Sequence, residues 1–535
     1  MRRSALILIL SCAVFSAPLF AEVPADFYIE TEYKKDSIDY SETERYYYRE
    51  KLSVLFSGES SLNLGYVYIE QEKERRYTYN LILNDVSPDF SFMLGNYFVN
   101  FGYGLIVARK MAFERDVFSS RAGDNNHGFF FPCKSGNPLY SFRGITASWD
   151  KKMMDVKMSL NFFYSINERF IDTESYEYGS IYSSMAAIEG RDDKTFNAGE
   201  PVNISTSGGL IALQAMDAFT LQIFYIFTKI KSNDKDEILW DSYDTYNAEY
   251  GTSSVLGNGF LLEYRDDFLN IFCEGSMTTR GMYINDEKEN VHGYGLLYGI
   301  RFKPPFLKMS LTGKQMDGRF YSPYSSSIGD DYPEDAFFFD TEISPFRNLK
   351  IGSALSSQKK TAAGSRDDCS PVTERQKIYV NYNYGMLDEF SVTGRRVEKS
   401  DEDGRGEKYQ LKEKAAFKLF KSLSLEAASI YQQGGLTGHS IVYQGGIEAS
   451  ILSKFKLSIN YASARISDGN NIYMTISPIP NSSSPGIMIQ EDSNIIISKL
   501  DFKHKEIYVS FRYLYQYHND AALHRQLEFS ASGKF

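Results

Sequence analysis

Three glycines in a short aromatic stretch are the first residues whose type and spacing could do chemistry. Residues 92–105 read FMLGNYFVNFGYGL and contain Gly95, Gly102 and Gly104. Glycines that cradle phosphate occur as G-x-G-x-x-G between a strand and a helix, or as G-x-x-x-x-G-K-[ST]. The stretch matches neither pattern, and no helical periodicity follows it. We therefore expect these glycines to permit a bulge or the close approach of a loop.

The histidines and the acidic runs show no spacing that is typical of catalysis or metal binding. No two of the six histidines have the H-E-x-x-H spacing of a zinc protease. His518 and His524 flank one predicted hairpin, but a metal or catalytic role would need acidic or nucleophilic partners whose positions the sequence does not give. The acids at 401–404 do not match the ligand spacing of a calcium loop. The sequence predicts no enzyme, no metal site and no cofactor.

Basic residues recur on one face of the alternating segments in the last third of the chain, where acidic residues are fewer. If this face lines a confined aqueous space, it raises the local concentration of anions. The alternative is that several lysines lie at strand ends and anchor a membrane interface. Both hypotheses concern the same set: Lys377, Arg395, Lys408, Lys412, Lys414, Lys418, Lys454, Lys456, Lys499 and Arg512.

Alternation with a period of two residues predicts that β-strands carry these side chains. From 507 to 517 the odd positions are Ile, Val, Phe and Tyr, while most even positions are polar. The same period recurs at 154–164, 409–419, 441–451 and 455–461. Helical spacing fits none of these segments. Each has about ten residues, the length with which a tilted strand crosses a bilayer.

Short and long connections alternate between the predicted strands. Tight turns are expected near 151, 217, 266, 304–305, 345, 387, 421, 453 and 504. Longer polar gaps are expected near 166–205, 230–256, 279–292, 317–333, 358–373, 399–407, 434–439 and 467–490. This rhythm is typical of an up-and-down barrel with short periplasmic turns and long external loops. We therefore predict an all-β fold, a large transmembrane antiparallel β-barrel of roughly 22–26 strands.

The N-terminus indicates export from the cytoplasm. Residues 1–21 carry two arginines directly after Met1, continue with a short apolar run and end in Ala21, which is typical of a cleaved signal peptide. A lipoprotein signal that ends at Cys12 is the alternative. We expect residues 22–43 to form a short periplasmic segment and residues 44–535 to form the barrel.

The C-terminus and two long regions complete the predicted barrel. The last strand ends in Phe535, with Phe529 and Leu527 on the same face. A terminal strand of this kind resembles the assembly signal of bacterial outer-membrane barrels. Residues 110–139 and 166–205 are predicted to be inward-folding or external loops, because a barrel this wide has room for them.

Composition and charge agree with an exported barrel and exclude other classes. The formal net charge of −11 makes a nucleic-acid partner unexpected. No run of about 18 apolar residues follows the signal, so no transmembrane helix is predicted. A mean hydropathy of −0.35 is expected for a barrel, because half of each strand faces the lumen and the loops face water.

Residues 90–150 carry a family resemblance. The pieces are 95–97 (GNY), 101–105 (FGYGL) and 140–144 (YSFRG). They resemble the G-D-Y, F-G-Q-G-L and F-x-R-G pattern in the barrel region of helix-hairpin-helix-associated outer-membrane proteins. This chain has Asn96 where Asp is usual and Tyr103 where Gln is usual. The resemblance implies a barrel and an outer-membrane location, but no particular substrate.

The predicted function is passage of small solutes through a porin-like outer-membrane channel, with a preference for anions as the hypothesis that the basic residues suggest. The alternative is a surface adhesin or interaction protein that the barrel anchors. The expected partners are outer-membrane lipid, the barrel-assembly machinery and small solutes, with no nucleic acid. Conductance after deletion of the long loops would separate the two functions.

Overall fold

The computed structural model shows a chain built from long β-strands. It describes residues 26–38, 43–55, 60–69, 74–87, 89–107, 129–133, 141–171, 181–182, 200–232, 240–241, 251–284, 287–320, 322, 334–360, 372–401, 404–434, 438–451, 454–467, 472–475, 486–518 and 521–534. The predicted signal peptide, Cys12 and Phe535 lie outside these residues. Within the described ranges, no helix has the length and apolar character needed to cross a membrane.

The strands follow one another at short intervals along the chain. The first group is β1 (Asp26–Ile38), β2 (Thr43–Leu55), β3 (Ser61–Ile69), β4 (Glu74–Ser87), β5 (Phe90–Val99), β6 (Phe130–Pro132), β7 (Phe142–Met153), β8 (Val156–Ile171), β9 (Ile181–Tyr182), β10 (Glu200–Ala215), β11 (Phe219–Ser232), β12 (Trp240–Asp241), β13 (Gly251–Arg265) and β14 (Leu269–Ile284). The second group is β15 (Glu287–Phe302), β16 (Leu307–Met316), β17 (Glu334–Phe346), β18 (Leu349–Lys360), β19 (Val372–Tyr384), β20 (Leu387–Asp401), β21 (Gly404–Phe420), β22 (Leu423–Gly434), β23 (Gly438–Ile451), β24 (Phe455–Arg465), β25 (Ile472–Thr475), β26 (Gly486–Ile489), β27 (Ser493–His504), β28 (Ile507–His518) and β29 (Ala521–Lys534).

One antiparallel sheet closes on itself to form the wall of a barrel. Successive long strands pair, and β1 pairs with both β2 and the last strand β29, where Tyr33 lies opposite Phe529. In the described part of the chain, 24 strands form this wall. The predicted all-β barrel of roughly 22–26 strands is therefore confirmed. Because the sheet is closed, each wall strand pairs with a neighbour on both sides. A hydrocarbon environment requires this, since it offers no other partner to the backbone N–H and C=O groups.

The barrel begins earlier in the chain than the sequence indicates. Strand β1 (Asp26–Ile38) lies inside 22–43, for which a short periplasmic segment is expected. That expectation is wrong for these residues, because β1 joins the first and last strands of the ring. The run at 34–36, Lys-Lys-Asp, interrupts the apolar alternation that would otherwise mark a strand.

The connections confirm the predicted alternation, although several gaps are shorter than expected. Tight turns join β7 to β8, β10 to β11, β13 to β14, β21 to β22 and β27 to β28, all at one end of the barrel, which we call the short-turn end. At the other end, strands occupy most of 279–292 and 399–407 and the flanks of 166–205. These strand ends are rich in polar residues, so their sequence resembles that of a loop. Their backbones nevertheless stay paired with the neighbouring strands.

The outer face of the wall is apolar. Ile223, Ile271 and Ile378 are 55%, 45% and 64% exposed and alternate along their strands with inward-facing residues. Exposed aromatic side chains form a row beside the short turns: Phe219, Phe268, Phe306, Phe346, Tyr384 and Phe420. An apolar band bordered by aromatic residues is the surface of a membrane-spanning barrel.

In the part of the chain that the structure describes, two apolar cores lie inside the ring, each beneath a chain segment that folds onto the wall. The larger core surrounds residues 100–107, directly after β5. The smaller one surrounds the β25–β26 hairpin, where Ile472, Met474 and Ile489 are at most 1% exposed. The described parts of 467–490 therefore pack on the wall, whereas the sequence predicts an external loop there. Their apolar side chains explain the difference, because each gains burial against β23, β24, β27 and β28.

Candidate functional site

Residues 100–107, which we call the inner segment, leave the wall after β5 and fold into the barrel. Phe101, Leu105 and Ile106 are fully buried. The segment closes on itself, because the Phe101 N–H donates to the Val107 carbonyl at 3.0 Å and the Gly104 N–H donates to the Phe101 carbonyl at 3.2 Å. The Asn100 N–H donates to the Phe129 carbonyl at 3.0 Å, which ties the segment to the chain beside β6.

The wall beneath the inner segment is apolar on its lumen side. We call the lumen face of β5 to β17 the filled sector. Most barrel lumens are polar, but here, beside the polar residues near the short turns, large apolar side chains face inward and pack against the inner segment. They include Phe163, Leu210, Phe224, Leu261, Phe272, Leu297 and Phe338. At about 25 cal/mol per Å² of buried apolar area, this packing is the main force that holds the segment inside.

A buried carboxylate anchors the backbone of the inner segment. Glu274 on β14 has no exposed surface. Its Oε1 accepts a hydrogen bond from the Leu105 N–H at 3.1 Å, and its Oε2 accepts one from the Tyr103 N–H. Beside it, Gln222 on β11 accepts from the Gly102 N–H at 3.2 Å. These bonds satisfy backbone donors that would otherwise be buried without partners.

All three predicted glycines have a positive φ, and two of them, Gly95 and Gly102, lie at close approaches. Gly102 has a φ of +56°, and a Cβ there would lie 2.7 Å from the Glu274 carboxyl carbon. Gly104 has a φ of +95°, and Gly95 has a φ of +112° in β5, where a Cβ would overlap the Tyr79 carbonyl. Gly102 therefore permits the contact between the inner segment and Glu274, whereas Gly95 permits β5 to pair closely with β4.

Tyr103 connects the inner segment to a polar cluster on the wall. Its ring stacks on Phe272 with a centroid distance of 3.9 Å and an angle of 20°. The Arg301 guanidinium lies 5.4 Å from the same ring, within the range of cation–π attraction. The Tyr103 hydroxyl donates to Glu263 at 2.8 Å, and Glu263 also pairs with Arg265 at 2.5 Å. The segment is thus fixed by both apolar and polar contacts.

The residues that carry the family resemblance meet in space. Gly95 on β5 lies opposite Gly144 on β7. The Asn96 side chain accepts from the Tyr79 N–H at 3.2 Å and donates to the Ser141 hydroxyl at 3.2 Å. The pattern therefore contributes to the β4–β5–β7 part of the wall and to the inner segment that follows it.

The predicted basic residues lie mainly on the lumen face of β19 to β24, which we call the basic sector. Lys377 is directly opposite Arg395, which is opposite Gln410. Gln410 donates to Gln432 at 3.0 Å, and Gln432 is 1% exposed, which places this row on the inner side. Lys408, Lys412, Lys414 and Lys418 share the face of Gln410 along β21, and Lys456 lies inward on β24. Lys454 lies in the turn before β24.

Ion pairs engage several of these basic residues. Lys414 lies 2.8 Å from Glu389 and 3.6 Å from Glu426, and Lys456 lies 2.8 Å from Glu448. Outside the basic sector, Lys499 pairs with Asp501 at 3.0 Å and Arg512 with Glu528 at 2.5 Å. In the row that contains Lys377 and Arg395, the flanking opposite positions are Ala354 and Gln410.

Other predicted residues lie on the closing strand and on an exposed surface. Leu527 and Phe529 lie on β29 opposite Tyr513 and Phe511, so they belong to the closing part of the wall. The His292 ring and the Thr279 hydroxyl are 3.0 Å apart on an exposed surface. No group of three or more His, Cys, Asp or Glu side chains suited to a metal ion occurs among the described residues.

Sequence reasoning missed Glu274 and Gln222, the two side chains that hold the inner segment. Each is a polar residue on a lumen face, where polar residues are expected. One sequence feature does indicate the covered region around them: the alternation of apolar and polar residues is lost there. The pairs Ile223–Phe224, Leu261–Leu262 and Ile271–Phe272 are apolar on both faces of the wall, which indicates that the inner face is covered.

Comparisons with known proteins give distant structural similarities. No family model matches the chain, and no curated protein sequence matches it. The P pilus usher PapC translocation pore is 9% identical, over 96% of this chain and 99% of that chain, with a TM-score of 0.41. The siderophore receptor PirA from Pseudomonas aeruginosa is 6% identical, over 95% and 80%, with a TM-score of 0.48. The FrpB iron transporter from Neisseria meningitidis is 9% identical, over 97% and 83%, with a TM-score of 0.43.

The closed sheet and the apolar outer face define the class of this protein as a membrane-spanning β-barrel. Its more specific likeness to helix-hairpin-helix-associated barrels stays a prediction, since no family model matches.

Proposed function

We propose that this protein is an outer-membrane barrel that passes small solutes along its basic sector and favours anions. The observation that carries the proposal is the cross-strand row in which Lys377 lies directly opposite Arg395. Like charges at directly opposite positions destabilise a sheet by roughly 0.2–1 kcal/mol. When such a pair faces a confined aqueous space, anions that reside beside it reduce the repulsion between the two positive charges.

The apolar band and its aromatic border support the membrane location. The signal peptide predicted at 1–21 and the C-terminal strand predicted to assist assembly favour the outer membrane over other membranes. The inner segment supports a restricted rather than a wide passage, because it occupies the lumen beside β8 to β17. Solutes would then pass beside the basic sector.

The experiment is the reversal potential of the reconstituted protein in a salt gradient across a planar bilayer. We expect anion preference in the wild type. The double variant Lys377→Gln with Arg395→Gln should lose most of that preference, because it removes the directly opposed positive charges.

Arg396→Gln provides the matched control. Arg396 is the next residue on β20, pairs with Glu398 at 2.7 Å and Glu407 at 2.9 Å, and lies on the opposite face of the strand from Arg395. Its replacement should leave the reversal potential unchanged. Cation preference in the wild type, or equal shifts in both variants, would contradict the proposal.

A further inference from the structure

A polar cavity lies between the inner segment and the short turns, in the filled sector. Its volume is about 500 Å³, within the roughly 300–1,000 Å³ of small-molecule sites. Phe129 and Phe130 form an apolar side of it, and Lys157 and Asp217 lie near the short turns. Gln222 and Glu263 contribute to both the cavity and the anchorage of the inner segment. An occupant would therefore lie directly beside that segment.

Asn161 on β8 is the residue that points to a ligand. It is 2% exposed and lines the cavity. Its Nδ2 has no hydrogen-bond partner among the described residues. Buried amide groups nearly always have a partner, because an unmade hydrogen bond leaves the cost of desolvation unbalanced. A ligand oxygen in the cavity would supply the missing acceptor.

The neighbours of Asn161 favour a ligand with hydroxyl groups. Ser148 on β7 lies opposite Asn161, and Thr146, Ser159 and Thr220 also line the cavity. A hydroxyl can donate and accept, so these side chains match another set of hydroxyls.

Three of the five charged groups of the cavity have partners within the protein. Glu263 pairs with Arg265 and accepts from the Tyr103 hydroxyl. Asp150 accepts a hydrogen bond from the Ser159 hydroxyl. Lys157 and Asp217 carry opposite charges. The lining carries three acidic and two basic residues, so an anion finds no surplus of positive charge here, unlike in the basic sector, and a cation finds a surplus of only one negative charge.

We propose that this cavity binds a neutral polyhydroxylated solute, a mono- or disaccharide, with Asn161 Nδ2 donating to one of its oxygens. Phe129 and Phe130 offer an apolar surface to the C–H groups of a sugar ring. The inference goes beyond anion passage, and it rests on the proposed function only for the route by which the sugar reaches the lumen.

Isothermal titration calorimetry of the purified full-length protein in detergent tests the proposal, with glucose, maltose and trehalose as probes and glucose 6-phosphate and lysine as charged comparisons. We expect at least one neutral sugar to bind and both charged compounds to bind more weakly. Asn161→Leu should weaken sugar binding at least tenfold. Thr220→Val, a smaller change in the same cavity, should weaken it severalfold.

Asn381→Leu is the control, since Asn381 lies opposite Lys350 in the other half of the wall and should leave sugar affinity unchanged. Heat-modifiable gel mobility verifies that each variant is folded. Absence of binding for all three sugars, stronger binding of a charged compound, or unchanged affinity in both Asn161→Leu and Thr220→Val would overturn the proposal. The reversal potential measures anion preference separately, so either proposal can fail while the other stands.

Discussion

The filled sector and the basic sector share one outer face and differ on their inner faces. Both are antiparallel walls with exposed apolar side chains, such as Ile271 in one and Ile378 in the other. The inner face of β5 to β17 carries large apolar residues beneath the inner segment, whereas that of β19 to β24 carries lysine, arginine and glutamine. The outer faces are apolar in both sectors because both face lipid. The inner pattern follows what covers each inner face: the inner segment covers much of the filled sector, whereas water reaches the part of the basic sector that the β25–β26 hairpin leaves open.

Ion pairs show the same contrast. Lys314 and Glu334 in the filled sector are 3.0 Å apart and have no exposed side-chain surface. Lys456 and Glu448 in the basic sector are 2.8 Å apart and 47% and 40% exposed. A buried pair leaves an uncompensated charge when one partner is removed, whereas water screens the survivor of an exposed pair.

The largest expected effect follows from this contrast. Lys314→Met should destabilise the folded barrel by roughly 3–5 kcal/mol, because Glu334 stays buried without its cation. Lys456→Met should cost about 0–1 kcal/mol. Denaturant unfolding in detergent micelles, followed by gel mobility, measures both. Equal losses in the two variants would show that the sectors do not differ in burial.

Two glycines give the next comparison. Gly102 in the inner segment and Gly385 in the turn after β19 have φ values of +56° and +61°. A Cβ at Gly102 would meet Glu274, whereas nothing lies within 4 Å of a Cβ at Gly385. Both alanine variants should lose about 1 kcal/mol from the left-handed backbone.

Gly102→Ala should therefore lose at least ~1 kcal/mol more than Gly385→Ala, because the Glu274 contact must also move. Limited proteolysis within the inner segment provides a second readout, with faster cleavage expected for Gly102→Ala alone. The same stability and the same cleavage rate in both variants would mean that the contact with Glu274 does not hold the segment.

Two tyrosine hydroxyls allow a finer test. The Tyr103 hydroxyl donates to Glu263 at 2.8 Å, and the Tyr379 hydroxyl donates to Glu342 at 2.7 Å. Tyr103→Phe should cost about 1–2 kcal/mol, because Glu263 is buried and loses a donor. Tyr379→Phe should cost less, since water reaches Glu342 and can replace the hydroxyl. A larger loss for Tyr379→Phe in thermal unfolding would contradict the stated difference in burial between Glu263 and Glu342.

The smallest effect concerns the turn between β13 and β14. The N–H groups of Phe268 and Leu269 donate to Asp266 at 2.8 Å and 2.7 Å and hold the pKa of this exposed carboxylate below its usual range. The resulting stability is fully present above the usual pKa of about 4 and is lost as the pH falls through the lowered value.

Thermal unfolding midpoints at neutral and acid pH test this turn. Asp266→Asn should lose a small part of the pH dependence seen in the wild type. Met386→Ala, in the acid-free turn of the basic sector, should retain all of it. An unaltered pH dependence in Asp266→Asn would mean that this carboxylate does not stabilise the turn.

The sequence predicted the wall better than its interior. Alternation at 507–517 and at 409–419 identifies strands, because one face of each meets lipid and the other meets polar groups or water. Strand β1 was harder, since charged residues near its end hide the alternation. The basic row could be predicted, because Lys377 and Arg395 lie on strands whose alternation is visible in the sequence.

The anchorage of the inner segment could not be predicted in the same way. Tyr103 and Glu274 are 171 residues apart in the chain, and no local pattern links them. The glycines at 102 and 104 indicated a close approach, but not the carboxylate that they approach. Only the register of β14 within the closed sheet brings Glu274 beneath the segment.

The most direct test of the central claim is the single-channel conductance of the wild type and of folded Glu274→Ala under identical conditions. Removal of this carboxylate leaves the buried N–H groups of Tyr103 and Leu105 without their acceptor, at a cost of roughly 1–3 kcal/mol each. We predict a larger conductance for Glu274→Ala, as the inner segment leaves the lumen. Glu426→Ala, which removes an exposed lumen carboxylate from the basic sector, should give no comparable increase. Unchanged conductance in Glu274→Ala would contradict the claim that the inner segment narrows this barrel.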